Sequence, residues 1–178
     1  VVRHLYLLRH AKSSWDDPSR DDFDRALAPR GTKACKTMKA HLKRAGIVPG
    51  LVLCSSAERA RGTYELIAGA FGDDTEVRFE HGLYEVGSQT LLKRLRLVDA
   101  DVGTVLMIGH NTGIEHLALA LTSGTETPPL ARMRAKFPTL GLASIEIRKG
   151  AWSKLAPGSA RLTDFVVPRD LEKAKPKK

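Results

Sequence analysis

Thr104-Val105-Leu106-Met107-Ile108-Gly109-His110-Asn111 is the stretch that decides the fold. Residues 104–108 form an almost unbroken apolar, partly β-branched run, and Gly109 ends it. A short apolar run bounded by a turn former reads as a strand covered on both faces. The same grammar recurs at Leu5-Tyr6-Leu7-Leu8, which ends in Arg9-His10. It recurs again at Leu51-Val52-Leu53-Cys54, which ends in Ser55-Ser56. Val77 to Phe79 is a shorter candidate.

Helical periodicity fills the gaps between these runs. Thr32 to Ala45 carries Ala34, Met38, Leu42 and Ala45 on one face and stops at Gly46. Ala57 to Phe71 repeats the pattern with Ala60, Tyr64, Ile67 and Phe71. Ser88 to Val98 and the segment through Ile114, Leu117, Ala118 and Leu121 give two more helices. Residues Ser13 to Arg30, rich in Asp and holding Pro18 and Pro29, read as a long loop. Pro128 and Pro129 mark a second loop. Leu142 to Ile147 and Leu162 to Val167 read as closing strands around Gly150 and the Pro157-Gly158 turn.

Strands alternating with helices predict an α/β fold: a mostly parallel central sheet, helices on both faces, and a closing antiparallel pair. Ligands of such sheets bind beyond the carboxyl ends of the strands. The expected organisation is one domain over residues 1–168, then a basic, disordered tail over 169–178.

Composition narrows the functional classes. The chain has 178 residues, 42% of them hydrophobic, and a formal net charge of +9. Such a charge favours anionic ligands in general. Aromatics are 6% and scattered, which argues against stacking on nucleic acid. No apolar run is long enough to span a membrane. The opening residues enter a strand without the order of a secretory signal, so a cytoplasmic protein is expected. Cys35 and Cys54 form no disulfide framework and no zinc spacing, and read as reduced structural thiols. His4, His41, His81 and His116 read as ordinary histidines, and neither His41 nor His116 has a partner at ligand spacing, so no metal and no cofactor are implied.

The chemistry converges at three strand ends. Arg9 and His10 follow the first, Ser55, Ser56 and Arg59 the second, and His110 and Asn111 the strand from Thr104. Two imidazoles and two guanidinium groups on one rim suit a phosphoryl group. Arginine's fork of N–H donors matches the equatorial oxygens. A neutral imidazole is a nucleophile at neutral pH. Helix N–H groups after Ser55 add anion affinity.

Leu7-Leu8-Arg9-His10-Ala11-Lys12 resembles the Arg-His motif of the histidine phosphatase, or phosphoglycerate mutase-like, superfamily. Cys54 to Thr63 resembles its second motif, and Ile108 to Gly113 its third. The order is right, and the resemblance covers nearly the whole chain. It implies that His10 is the nucleophile and that Arg9, Arg59 and His110 bind the phosphoryl group. The family's Gly after the catalytic His is Ala11 here. Ala11-Lys12-Ser13, with Trp15 and the Asp-rich loop, resembles the small SixA-like phosphohistidine phosphatase branch. A short chain leaves little room for a large lid insertion. An open site suits a phosphohistidine-containing protein; the alternative substrate is a small phosphomonoester, with a mutase as a variant of that reading.

Leu83-Tyr84-Glu85 fits the family's Leu-x-Glu context, which makes Glu85 the candidate general acid, with Asp16 and Asp17 as alternatives. Lys12, Ser55 and Asn111 are candidate phosphate contacts, although Ser55 or Ser56 could cap the helix and Asn111 could turn the chain. Phe137-Pro138-Thr139 resembles a segment bordering the groove in SixA-like members. A rival from another class is a phosphate-binding module without turnover, which would lack one of the core residues; none is missing.

Overall fold

A computed structural model describes residues 1–173. Its sheet has six strands: β1 (Arg3–Arg9), β2 (Leu51–Ser55), β3 (Glu76–Glu80), β4 (Thr104–Gly109), β5 (Leu142–Ile147) and β6 (Arg161–Val166). They lie in the order β3-β2-β4-β1-β5-β6. β1, β2, β3 and β4 run parallel, whereas β5 pairs antiparallel with both β1 and β6. The mostly parallel sheet with closing antiparallel strands is therefore as the sequence predicts.

Alternation along the central strands divides the core into two layers. Leu5, Leu7, Leu51, Leu53, Val105 and Met107 face one cluster. Leu8, Val52, Cys54, Leu106 and Ile108 face the other. The first cluster is covered by α3 (Ser88–Arg96), α4 (Gly113–Leu121) and α5 (Pro128–Ala135) through Leu91, Leu95, Ile114, Leu117, Leu130 and Met133. The second is covered by α1 (Pro29–Arg44) and α2 (Glu58–Ile67) through Cys35, Met38, Leu42, Ala60 and Ile67. Cys35 and Cys54 are free and buried. Burial pushes the Cys35 thiol up to about 12, and raises that of Cys54 as well.

Three expectations need correction. Pro128 and Pro129 open α5 instead of a loop. They occupy its first turn, where a missing N–H costs nothing, and the Thr127 side chain accepts from Leu130 N at 3.4 Å. The Asp-rich loop is shorter than read, because Pro29 likewise starts α1 three residues before Thr32. Residues 169–173 of the expected disordered tail belong to α6 (Pro168–Lys173), and Leu171 buries itself in the second cluster. The remainder of that tail, 174–178, lies outside the described residues.

Among the described residues, no helix is long and apolar enough to cross a membrane.

Candidate active site

The carboxyl ends of β1, β2 and β4 lie side by side, so Arg9 and His10, Ser55, and His110 reach one rim. Backbone bonds fix the first of these ends. His10 N donates to Gly109 O at 3.0 Å, and Leu140 N donates to Arg9 O at 3.0 Å. The Thr63 hydroxyl accepts from Ala11 N at 2.9 Å and donates to Arg59 O at 2.7 Å. That single hydroxyl ties α2 to the chain just after His10.

The His10 and His110 ring centroids are 5.1 Å apart. His10 Nδ1 lies 2.8 Å from Ala11 O. A carbonyl only accepts, so Nδ1 carries the proton and Nε2 keeps its lone pair. Arg59 Nε donates to His10 Nε2 at 3.3 Å. His10 is held neutral, its pKa lowered to about 4 by burial and then by the Arg59, Arg9 and Arg25 cations, against an opposing backbone bond to Ala11. His110 is lowered to about 3 by burial, His10 and Arg59. Both imidazoles are thus uncharged at neutral pH.

Arg59 is 1% exposed. Its Nη1 donates to Asp22 O at 2.6 Å, and its Nη2 to Asp22 Oδ2 at 3.0 Å and to Glu85 Oε1 at 2.8 Å. Two carboxylates therefore sit on the guanidinium fork, at Nη2, and an oxyanion that binds there competes with them. Asp22 also accepts from the Tyr84 hydroxyl and from Arg25 Nε. Tyr84 first, then Arg59 and Arg25, hold its carboxyl down at about 2, against a partial cost of burial. Glu85 Oε1 lies 3.3 Å from His110 Nδ1, without hydrogen-bond geometry. Glu85 adopts φ 48, in the left-handed region that costs a non-glycine residue roughly 1 kcal/mol. This turn follows β3 and brings the carboxylate to the rim.

Two glycines make the site compact. A Cβ on Gly113 would lie 2.2 Å from Val86 O, so α4 can press against the chain beside Glu85 only with glycine there. A Cβ on Gly31 would lie 2.2 Å from Lys12 O, which seats α1 against the segment after His10.

His10, Arg59, His110 and Glu85 come together as the sequence suggests. Arg9 stands beside them, its Nη1 donating to Phe137 O at 3.1 Å. Ser55 is buried, but its Oγ meets His110 Nε2 at 2.7 Å and accepts from Ala57 N at 3.3 Å. It is thus spent on the histidine and the helix start. Asn111 Nδ2 donates to Phe137 O at 3.0 Å and to Glu115 Oε2 at 3.3 Å. The Phe137 carbonyl thus ties both Arg9 and Asn111 to the segment expected to border the groove.

Lys12 departs from expectation: it is exposed and lines a separate groove with Pro138, Thr139 and Leu140. Asp16 and Asp17 line an outer depression with Arg20, away from the guanidinium of Arg59. The loop carboxylate that joins Glu85 on Arg59 is Asp22, which the sequence does not single out within an Asp-rich loop. Arg25 was missed too; it bonds to Ser13 Oγ and stacks 3.5 Å from the centroid of the Trp15 ring. Among the described residues, no three His, Cys, Asp or Glu side chains are grouped as metal ligands would be.

Arg9 Nε and His110 Nδ1 are buried and have no hydrogen-bond partner among the described residues. Buried polar nitrogens without partners are uncommon, and these two belong to residues of the His10 rim. Around His10 the site offers a lone pair, guanidinium donors and a carboxylate. Such a set can accept a phosphoryl group and exchange a proton with its leaving group.

Residues 5–94 match the family described as Histidine phosphatase superfamily (branch 1). The chain belongs to that superfamily. An uncharacterized protein of Mycobacterium leprae is 38% identical over 168 residues, covering 91% of this chain and 100% of that protein. A solved structure from Nakamurella multipartitia, provisionally named phosphohistidine phosphatase SixA, is 28% identical with a TM-score of 0.80. It covers 94% of this chain and 97% of its own. A second, from Agrobacterium tumefaciens and under the same provisional name, is 29% identical with a TM-score of 0.79, covering 93% and 98%. Superfamily membership and these neighbours support a phosphatase acting on a phosphorylated substrate.

Proposed function

We propose that the chain is a phosphohistidine phosphatase that works through a covalent phosphohistidine on His10 and needs no metal ion. The observation that carries this reading is the state of His10: a neutral ring, Nδ1–H tied to Ala11 O, and Nε2 free of its proton beside the buried Arg59. His10 Nε2 attacks phosphorus in line, and the bond from phosphorus to the substrate nitrogen breaks. Arg9, Arg59 and His110 hold the equatorial oxygens. The departing imidazole takes a proton, with Glu85 as the nearby acid. Water then attacks the phosphorus on His10, giving its proton to the Glu85 carboxylate, and the nitrogen leaves with inorganic phosphate released.

The partner is a phosphohistidine-containing protein. The Asp22 and Glu85 side chains at the mouth are each 45% exposed, so the rim is open to a macromolecular surface. The name carried by the two SixA structures supports the same substrate. A second reading, a small-molecule phosphomonoesterase, is favoured by one observation: the site holds a carboxyl group, Glu85, 2.8 Å from Arg59, and an alkoxide leaving group needs an acid.

The test is to mix the enzyme with a radiolabelled phosphohistidine protein and quench rapidly. An acid-labile, alkali-stable phosphoenzyme is expected, absent from His10→Ala. Turnover of sugar phosphates with the phosphohistidine protein inert would move the assignment to the second reading. Activity should survive EDTA; a strong loss would contradict the metal-free mechanism.

A further inference from the structure

A groove of about 760 Å³ borders Pro138, Thr139 and Leu140, the last of which donates its N–H to Arg9 O and His10 O. It is lined by Lys12, Arg30, Lys33, Arg132, Lys136 and Arg169, against the carboxylates of Asp170 and Glu172. Among the described residues, none of these six cations forms an ion pair. Elsewhere the molecule pairs its arginines readily, as at Arg78–Glu76, Arg94–Glu80, Arg134–Glu126 and Arg148–Glu146. Asp170 is partly spent, since its Oδ2 accepts from Val167 N at 3.3 Å. The groove is therefore a concentrated positive field with little internal neutralisation.

Its floor is different. Half-buried Pro138, Val167 and Pro168 give it an apolar base beneath the charged rim, over the buried Leu140 and Phe165. It also shares a wall with the active site. Phe137 O accepts from Arg9 and Asn111, and Leu140 N donates to Arg9 O and His10 O. Lys12, two residues after His10, belongs to the rim.

We infer that this groove docks an acidic, amphipathic segment of the phosphorylated protein substrate, next to the phosphorylated side chain that enters the His10 site. The inference rests on the phosphohistidine-protein reading above. Six cations attract carboxylates and speed encounter. The apolar floor takes the hydrophobic side of the same segment. A nucleic acid fits less well: Phe165, the aromatic of this lining, is 2% exposed and offers no face for stacking.

The experiment compares wild type with Lys33→Glu/Lys136→Glu, two exposed side chains that form no hydrogen bond or ion pair among the described residues. With a phosphohistidine-carrying phosphotransfer protein, KM should rise roughly tenfold or more, with kcat unchanged. Phosphoramidate, too small to reach the groove, should be hydrolysed within about twofold of wild type. Raising salt should depress kcat/KM for the protein substrate in wild type and much less in the variant. An unchanged KM, or an equal loss on both substrates, overturns the inference.

A second arm separates the two claims. A fluorescein-labelled acidic amphipathic peptide without phosphate should bind wild type and bind the variant at least about fivefold more weakly. Failure of wild type to hydrolyse the phosphoprotein while it hydrolyses phosphoramidate removes the substrate reading, whatever the peptide does. Failure to bind the peptide, or its displacement by single-stranded RNA at lower concentration, removes the groove assignment even if the phosphoprotein is hydrolysed.

Discussion

His10 and His110 stand just beyond neighbouring parallel strands, yet their rings are pinned by opposite nitrogens. His10 is held at Nδ1 by a backbone carbonyl, and its Nε2 meets only the Arg59 N–H at 3.3 Å. His110 is held at Nε2 by the Ser55 hydroxyl at 2.7 Å, and its Nδ1, 3.3 Å from Glu85 Oε1, makes no hydrogen bond among the described residues. If Ser55 donates to Nε2, then Nδ1 carries the proton and can give a hydrogen bond to an oxyanion. In that tautomer one ring is prepared to give an electron pair and the other to give a hydrogen bond. The difference comes from what each ring touches, since burial lowers both pKa values.

Unequal roles predict unequal losses. His10→Ala should lower kcat/KM on phosphoramidate by about 10⁴-fold or more, because the nucleophile is gone. His110→Ala should cost about 10²- to 10³-fold, the usual effect of removing one donor to a developing charge. Equal losses, with a labelled phosphoenzyme still trapped in neither, would erase the distinction between the two rings.

Much of this contrast was legible beforehand, and the reasons are specific. Arg9, His10, Arg59 and His110 follow strands whose apolar runs are unmistakable, so their rim could be read from the topology rule. Glu85 could be read through its motif. Ser55 was legible as a residue but not as a partner of His110, because a hydroxyl's bond depends on a ring from another strand end. Lys12 could not be placed: β1 ends at Arg9, so strand alternation no longer governs residue 12, and α1 clamps its carbonyl beside Gly31. Asp22 was hidden because its arrival depends on loop closure by the Ser13–Leu27 bridge and the Ser14 N to Ala26 O bond. In α5 the two prolines masked a helix start, although Thr127 before them is a capping residue.

Ser55→Ala sharpens the comparison further. It removes the bond that fixes the His110 ring while leaving His10 untouched, so kcat/KM should fall about tenfold, as for other residues that orient a functional side chain. Phosphoenzyme formation should still be seen, only slower, by rapid quench. A loss as large as that of His10→Ala would mean the serine does more than orient.

Gly113→Ala acts through the Glu85 turn. The new methyl meets Val86 O, so the Glu85 turn must shift. Overpacking of this kind costs about 1–3 kcal/mol, read as a lower midpoint in urea. With Glu85 as the proposed acid, phosphomonoester hydrolysis, whose alkoxide leaving group needs a proton more than an imidazole does, should fall more than phosphoramidate hydrolysis.

The smallest effect is on pH dependence. A base with the ordinary histidine pKa of 6.5 would lose about tenfold in kcat/KM by pH 5.5. With His10 lowered to about 4, the acid limb of kcat/KM should lie near pH 4, and activity should be almost flat between pH 7 and 5.5. Stability moves the other way. Both histidines bind protons more weakly folded than unfolded, so the unfolded state gains protons first as pH drops below 6.5. Stability is full above that value and declines toward pH 4, measurable as a falling Tm. An acid limb near 6.5 would place the charge-sensitive group elsewhere.

The stacking of Arg25 on Trp15 gives the enzyme a built-in optical reporter. The chain has two tryptophans. Trp152 is fully buried, with its indole N–H on Val102 O, and should emit as a constant blue background. Trp15 is 71% exposed and rests on a guanidinium that also holds Asp22, the carboxylate on Arg59. An oxyanion that takes Arg59 from Asp22 loosens that chain of contacts, so occupancy of the catalytic pocket should be visible as a change in red-edge fluorescence, without label or chromogenic substrate.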